Sequence, residues 1–168
     1  GNGRAIALGL AAHGADVVVT DIDTVAAQQT ADDVSARGRR GWSYTLDVTD
    51  ADACAALAKT VGAEIGPVAI LVNNAGIIIR ETIDSPRAHD NWRRVLDVNL
   101  NGVFNVTHAF LPALRQTRGS IINIGSIASF VGVADTLGYS PSKGGVKLLT
   151  QSLARELARD GIRVNAIA

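Results

Sequence analysis

The chain has 168 residues, with 16 Lys+Arg against 16 Asp+Glu, so no net charge draws it to nucleic acid or an anionic membrane surface. Hydrophobic residues make up 47% and charged residues 19%, which excludes a disordered chain and is enough to bury a core. The one cysteine, Cys54, rules out an internal disulfide and fits a reducing, cytoplasmic setting. No apolar run approaches the ~20 residues of a membrane span, and no signal-peptide pattern opens the chain. There is no methionine. Both ends read as cut, Gly1 at a helix start and Ile162 to Ala168 inside a strand pattern, so a single domain over residues 1–168 of a longer chain is expected.

Helical and strand patterns alternate, which predicts an α/β fold. Gly3 to His13 is predicted as helix, stopped by Gly14, and Asp16 to Thr20 as a strand rich in valine. Thr24 to Arg37 follows as helix, with Thr24 as N-cap and Gly38 as the stop. Trp42 to Leu46 is a second strand, Thr49 to Glu64 a helix, and Val68 to Val72 a third strand. Pro86 to Gln116 is predicted as helix in two pieces meeting near Asp97, and Ser120 to Ile124 as a fourth strand. Gly125 to Gly138 reads as loop. Tyr139 to Arg159 is predicted as a long helix with Leu148, Leu149, Leu153 and Leu157 along its apolar side, and Ile162 to Ile167 as a fifth strand.

Several of these junctions carry chemistry. Gly1-Asn2-Gly3 opens a helix, and Asp21 ends the next strand 18 residues after Gly3. A dinucleotide site needs glycines where backbone approaches a pyrophosphate, then an acid roughly 20 residues on for ribose hydroxyls. Gly-x-Gly is also a common turn, and Asp21 or Asp23 could simply cap a helix. A carboxylate at Asp21 repels a 2′-phosphate, and no Arg or Lys lies between Val17 and Gln29, so NAD is expected over NADP. Asn73-Asn74-Ala75-Gly76 sits at a strand's carboxyl end, where open α/β sheets bind ligands, although Asn and Gly also dominate ordinary turns.

Tyr139 and Lys143 are the sharpest signal. Four residues apart, they share one face of a helix. A phenol is a poor base near neutrality, and a neighbouring ammonium favours its ionised form, making it a usable proton donor and acceptor. With two Tyr and three Lys in the chain, such a pair arises by chance on the order of 0.04 times. The plainer reading is a surface pair on an amphipathic helix. Ser126, 13 residues before Tyr139, stands where a hydroxyl could hold a substrate oxygen, with Ser129, Ser140 and Ser142 as polar competitors. His13, His89 and His108 show no ligand spacing with each other or with Cys54, so no metal site is predicted.

The order Gly-x-Gly, Asp21, Asp47, Asn-Asn-Ala-Gly, Asn99, Ser126, Tyr-x-x-x-Lys strongly resembles the short-chain dehydrogenase/reductase family across nearly the whole chain. That resemblance implies a doubly wound, Rossmann-like parallel sheet and an oxidoreductase moving hydride between NAD(H) and a secondary alcohol or ketone. The implied substrate is a sugar, polyol or 3-oxoacyl compound. Tyr139 would be the acid/base, Lys143 would assist it and bind the nicotinamide ribose, and Ser126 would orient the substrate oxygen. Asn99 would hold a water linking Lys143 to solvent. Gly1 and Gly3 would approach the pyrophosphate, Asp47 and Val48 would contact adenine, and Asn73, Ala75 and Gly76 would line the adenosine and ribose. The partners it implies are a small-molecule substrate and further copies of the chain, in a dimer or tetramer, with neither nucleic acid nor membrane.

Three departures stand out, one being that the carboxyl-terminal portion, which in this family closes over substrate and sets selectivity, is expected to be missing. The family's opening strand and its glycine are missing, which leaves the sheet incomplete and two central strands with open edges. Asn2 and Pro141 replace the usual Ile and Ala, and Pro141 is tolerable in a helix's first turn. A non-catalytic nucleotide-binding domain, or an inactive fragment, is the competing reading. A methyltransferase on a similar sheet would explain the glycines and Asp21 but not Tyr139 with Lys143.

Overall fold

The structure, a computed structural model, describes residues 1–168, which form two compact units, Gly1–Asp47 and Val48–Ala168.

The first unit runs α1 (Asn2–Ala12), β1 (Val17–Asp21), α2 (Thr24–Ser35), β2 (Gly41–Thr45). The two strands pair in parallel from Val17 opposite Gly41 to Asp21 opposite Thr45. Its core joins Ala7, Leu8 and Ala11 of α1 to Val34 of α2, with Val17 and Val19 packed against them. The spacing of the α1 residues is that of one helical face. Gly41 lets α2 lie close on β2, since a Cβ there would stand 2.2 Å from the Ala31 carbonyl oxygen.

Asp23, not Thr24, is the N-cap of α2. Its carboxylate accepts from the Val25 and Ala26 amides at 3.0 and 3.1 Å. Thr24 lies inside the helix and hydrogen-bonds Thr45 across to β2 at 2.7 Å. An ionised carboxylate interacts better with the positive helix end than a hydroxyl does.

The second unit runs α3 (Ala51–Glu64), β3 (Ile70–Asn73), α4 (Ala88–Leu96), α5 (Gly102–Thr117), β4 (Ser120–Ile124), α6 (Tyr139–Leu157) and β5 (Arg163–Ile167). Its sheet has the order β3-β4-β5 with both pairings parallel. Parallel strands joined through helices make this the expected α/β architecture. β1 has one partner, β2, and β3 has one partner, β4, so each is an edge strand of its sheet. That is the incomplete parallel arrangement the sequence predicts.

The junction between α4 and α5 is not a break. Asp97–Asn101 forms a π-helical turn that carries one helix into the next. Such a turn rotates the following residues relative to a regular helix and is frequent at functional sites. On α6 the buried face carries Ser142, Lys143, Val146, Thr150 and Leu157. Leu148, predicted on the apolar side, is exposed, and only Leu157 of the four predicted leucines is buried. The helix turns hydroxyl groups and an ammonium inward because polar partners wait there.

Those partners form a buried ladder across the sheet. Asn73 and Asn123 are register neighbours on β3 and β4, joined by an Asn73 Nδ2 to Asn123 Oδ1 bond of 2.8 Å. Asn73 Nδ2 also donates to Thr107 of α5 at 3.0 Å, and Asn123 Nδ2 donates to Thr150 of α6 at 2.9 Å. A fully satisfied polar chain of this kind fixes how two helices sit on one sheet.

Candidate active site

In the second unit, four segments meet around Lys143. The ammonium is buried in α6, and its Nζ donates to the Ile124 carbonyl at the end of β4 over 2.7 Å. It stands 5.9 Å from the centroid of the Tyr139 ring, one helical turn back. Burial pushes the Lys143 pKa down, because the charged form gives up its hydration. One of its three N–H bonds is spent on Ile124, leaving donors for a ligand's hydroxyl groups.

Tyr139 is placed by the backbone. Its amide donates to the Thr136 carbonyl at 3.0 Å, and its carbonyl accepts from the Ser142 hydroxyl at 2.6 Å. Ser142 in turn accepts from Asn99 Nδ2 at 3.1 Å. Asn99 is fully buried in the π-helical turn, and its amide clasps the backbone of Ile77, accepting from Ile77 N at 2.7 Å and donating to Ile77 O at 2.8 Å. The Asn99 side chain is thus engaged on both sides as a brace between the loop after β3 and the start of α6.

Gly76 sits beside this brace. A Cβ there would lie 3.3 Å from Asn99 Oδ1, a tight approach, and in ordinary contact with Lys143 Nζ at 3.7 Å. Ala75 and Gly76 are exposed at the carboxyl end of β3. Asn73 is placed differently from expectation. Its amide turns into the buried ladder described above rather than toward that loop, so its side chain is structural.

Ser126 caps a short 3₁₀ helix, Ile127–Ser129, in a reciprocal capping box with Ser129. Its Oγ accepts from the Ala128 amide at 3.1 Å, while its own amide donates to Ser129 Oγ at 3.2 Å. Because Oγ serves as acceptor here, its proton remains available to donate to a substrate oxygen.

Two further residues carry no sequence motif. Ser142 buttresses Tyr139 from below and is visible in sequence only as one serine among several. Glu81, on the loop after β3, is buried and accepts from Asn91 Nδ2 at 2.5 Å and from the Ser85 hydroxyl. Its amide donates to the Asp135 carbonyl at 2.9 Å, and it forms a parallel bridge with Thr136, the residue that receives the Tyr139 amide.

The Ser85 and Asn91 hydrogen bonds hold the Glu81 carboxyl below the usual carboxylate range. Its contribution to stability is therefore complete above the ordinary carboxylate pKa and is lost as pH falls through the lowered folded value. Glu81→Gln should flatten that acid limb in a series of thermal melts from neutral to acidic pH. An unchanged acid limb would assign the dependence to other groups.

In the first unit, Gly1 is the N-cap of α1, whose first turn has neither a side-chain cap nor an acidic residue. The amides of that turn, Gly3 included, are suited to an anion. Asp21 ends β1 with one carboxylate oxygen accepting from Asp23 N at 3.0 Å. The other oxygen is not needed for that turn and suits a pair of ribose hydroxyls. These features fit a dinucleotide. Asp47 is exposed after β2, and in the second unit the Val48 carbonyl accepts from Asn105 Nδ2 at 3.0 Å.

The sequence profile described as short chain dehydrogenase matches residues 1–168. The chain is 40% identical over 170 residues to the 3-oxoacyl-[acyl-carrier-protein] reductase FabG of Staphylococcus aureus, covering 100% of this chain and 69% of that protein. It is 36% identical over 168 residues to a cyclohexanol dehydrogenase of Acinetobacter sp., covering 99% of this chain and 67% of the relative. Among solved structures, a Sinorhizobium meliloti protein provisionally described as a short-chain alcohol dehydrogenase superposes with a TM-score of 0.93 at 36% identity. The RhlG/NADP active-site complex of Pseudomonas aeruginosa superposes with a TM-score of 0.94 at 33% identity. Each comparison covers 100% of this chain and 67% of the solved one. With the Tyr139–Lys143 pair, the Ser126 cap and a Rossmann-like α/β fold, the chain belongs to the short chain dehydrogenase family of oxidoreductases.

Proposed function

We propose that the protein interconverts a secondary alcohol and its ketone with NAD(H), residues 1–168 acting as one dinucleotide-binding and catalytic domain. The observation that carries this reading is the buried Lys143 ammonium 5.9 Å from the Tyr139 ring, on a helix braced by Asn99 through Ser142. A bound nicotinamide supplies the hydride in reduction and accepts it in oxidation.

Around that transfer, Ser126 donates its hydroxyl proton in a hydrogen bond to the substrate oxygen, polarising the carbonyl. In reduction Tyr139 gives its phenolic proton to that oxygen as the new C–H bond forms. In oxidation Tyr139 takes the O–H proton as the carbinol C–H bond breaks. Lys143 places a positive charge beside the Tyr139 ring and donates to the ribose hydroxyls. Asn99 holds a water that links Lys143 to solvent.

In the same reading Gly1 and Gly3 take the pyrophosphate at the start of α1, Asp47 and Val48 contact adenine, and Ala75 and Gly76 line the ribose side. Asn73 adds backbone only. The carbonyl compound is a sugar, polyol or 3-oxoacyl type, and the presence of one cysteine, Cys54, fits a cytoplasmic enzyme. No helix is long and apolar enough to cross a membrane. Phe104 on α5 and Leu148 on α6, both exposed, support a homo-oligomer, a dimer or tetramer.

Asp21 carries the preference for NAD, since its carboxylate would meet a 2′-phosphate with like charge. The RhlG complex contains NADP, so the point is open to direct test. Fluorescence titrations with NADH and NADPH should show tighter NADH binding, and ketone-dependent loss of NADH absorbance should accompany it. Asp21→Ala should narrow the NADH-to-NADPH ratio of Kd values by about tenfold, the size of one lost charge-assisted contact. An unchanged ratio would refute the ribose contact, and failure of the protein to bind either nucleotide would refute the reading as a whole.

A further inference from the structure

From Ile127 to Ala134, directly after Ser126, the chain runs without a charged side chain. Ile127 and Phe130 are 72% and 64% exposed, and Val131 and Val133 stand open beside them. Single exposed apolar residues are ordinary, but a contiguous group of them marks a surface that something covers. The segment opposite adds Ile78 and Ile83, the latter 71% exposed. The bridge between Glu81 and Thr136 ties the two segments together.

Much of the hydrogen-bonding capacity along this rim is engaged locally. Ser129 Oγ accepts from the Ser126 amide, and Thr136 Oγ1 donates to the Val133 carbonyl at 2.7 Å. Ser140 Oγ accepts from the Val133 amide and lies 3.2 Å from Thr136 Oγ1. A sugar or polyol would surrender the hydration of its hydroxyl groups here and recover few hydrogen bonds in return. The Phe130 ring, by contrast, offers an apolar face, with Lys147 Nζ 4.3 Å from its centroid, one turn beyond Lys143 on α6. Arg80 and the buried Glu81 lie between Ile78 and Ile83, while Asp84 and Asp135 flank the two segments.

Resting on the hydride-transfer reading above, we propose that the substrate carries an apolar carbon skeleton beside its reacting carbon, and that Ile127, Phe130 and Val131 select it. The occupant is the substrate rather than another chain because the rim is continuous with the catalytic groups. Ser126 caps the very turn that carries Ile127, and Thr136 at the rim's far end holds the Tyr139 amide.

The test compares kcat/KM for reduction of 2-octanone and of dihydroxyacetone with NADH. The protein should prefer 2-octanone by tenfold or more, and Phe130→Asn should reduce that ratio at least tenfold, in line with the sensitivity of apolar pockets to small losses of contact. Ile127→Asn, at a still more exposed position, should move it in the same direction and guards against a folding defect in the first variant. A preference for dihydroxyacetone, or variants that leave the ratio unchanged, would overturn this inference alone. No turnover of any ketone by protein that binds NADH would overturn the hydride-transfer reading and the inference together.

Discussion

Tyr139→Phe is expected to lower kcat by about two to four orders of magnitude, the usual worth of a positioned acid/base group, while leaving the Kd for NADH within about twofold. The phenylalanine keeps the ring beside Lys143 and removes only the hydroxyl. Tyr139 is held by its backbone, through Thr136 and Ser142, so the substitution disturbs no hydrogen bond that positions the helix. Steady-state rates with a ketone, paired with an NADH fluorescence titration, separate the two effects. A variant that loses NADH binding along with turnover would contradict the role assigned to the hydroxyl, because a proton donor to substrate has no reason to hold the nucleotide.

Lys143→Met is expected to move activity and stability in opposite directions. The ammonium is buried, with a backbone carbonyl as its hydrogen-bond acceptor and no carboxylate in an ion pair with it. Its folded pKa is lowered by burial, so the folded state binds that proton less well than the unfolded chain does. The cost of holding the charge is therefore fully present below the folded pKa and is relieved as pH rises from there toward the unfolded value.

Methionine is similar in length and uncharged. It should cut kcat about a hundredfold or more and raise the Ki or Kd of ligands that contact the ribose site. Stability at neutral pH should be unchanged or higher by about 1 kcal/mol, a rise in Tm of ~2–4 °C for a domain of this size. The Ile124 carbonyl loses its donor, which offsets part of the gain. Thermal melts between neutral and alkaline pH provide the check, since the native protein should gain on the variant as pH rises. A variant markedly less stable than the native protein at neutral pH would show that the ammonium is a structural support, held for stability as well as for chemistry.

Much of this architecture was legible residue by residue. β4 falls on Ser120–Ile124 as its β-branched run predicts, and Tyr139 opens α6 as predicted. Where boundaries moved, particular hydrogen bonds explain it. β3 begins at Ile70 rather than Val68, and the Val68 carbonyl is instead taken by the Thr117 hydroxyl at 3.0 Å. The meeting of two helices near Asp97 was visible, but its resolution as a π-helical turn was not, because one extra residue in a turn leaves no mark on an apolar period averaged over a helix. Leu148 illustrates the same limit. A stripe of leucines suggests a buried side, and the inward face proved to be the one carrying Ser142, Lys143 and Thr150, whose partners lie on other elements.

The sequence by itself determined the alternation of strands and helices and the pairing of Tyr139 with Lys143, and its resemblance to the family implied the open edges of β1 and β3. Each depends on neighbours a few residues apart, or on the presence or absence of a strand, and so is written in local order. The tertiary structure alone decided which polar groups are spent and which are left for chemistry. Asn73 and Asn99 look alike in sequence, yet one locks the sheet to Thr107 and Asn123 while the other braces Ile77 against Ser142. Ser126 keeps a proton to give because Ala128 already occupies its oxygen. Most of these hydrogen bonds join residues 22 to 50 positions apart, and a bond across that distance is fixed by how the elements pack, which no local pattern records.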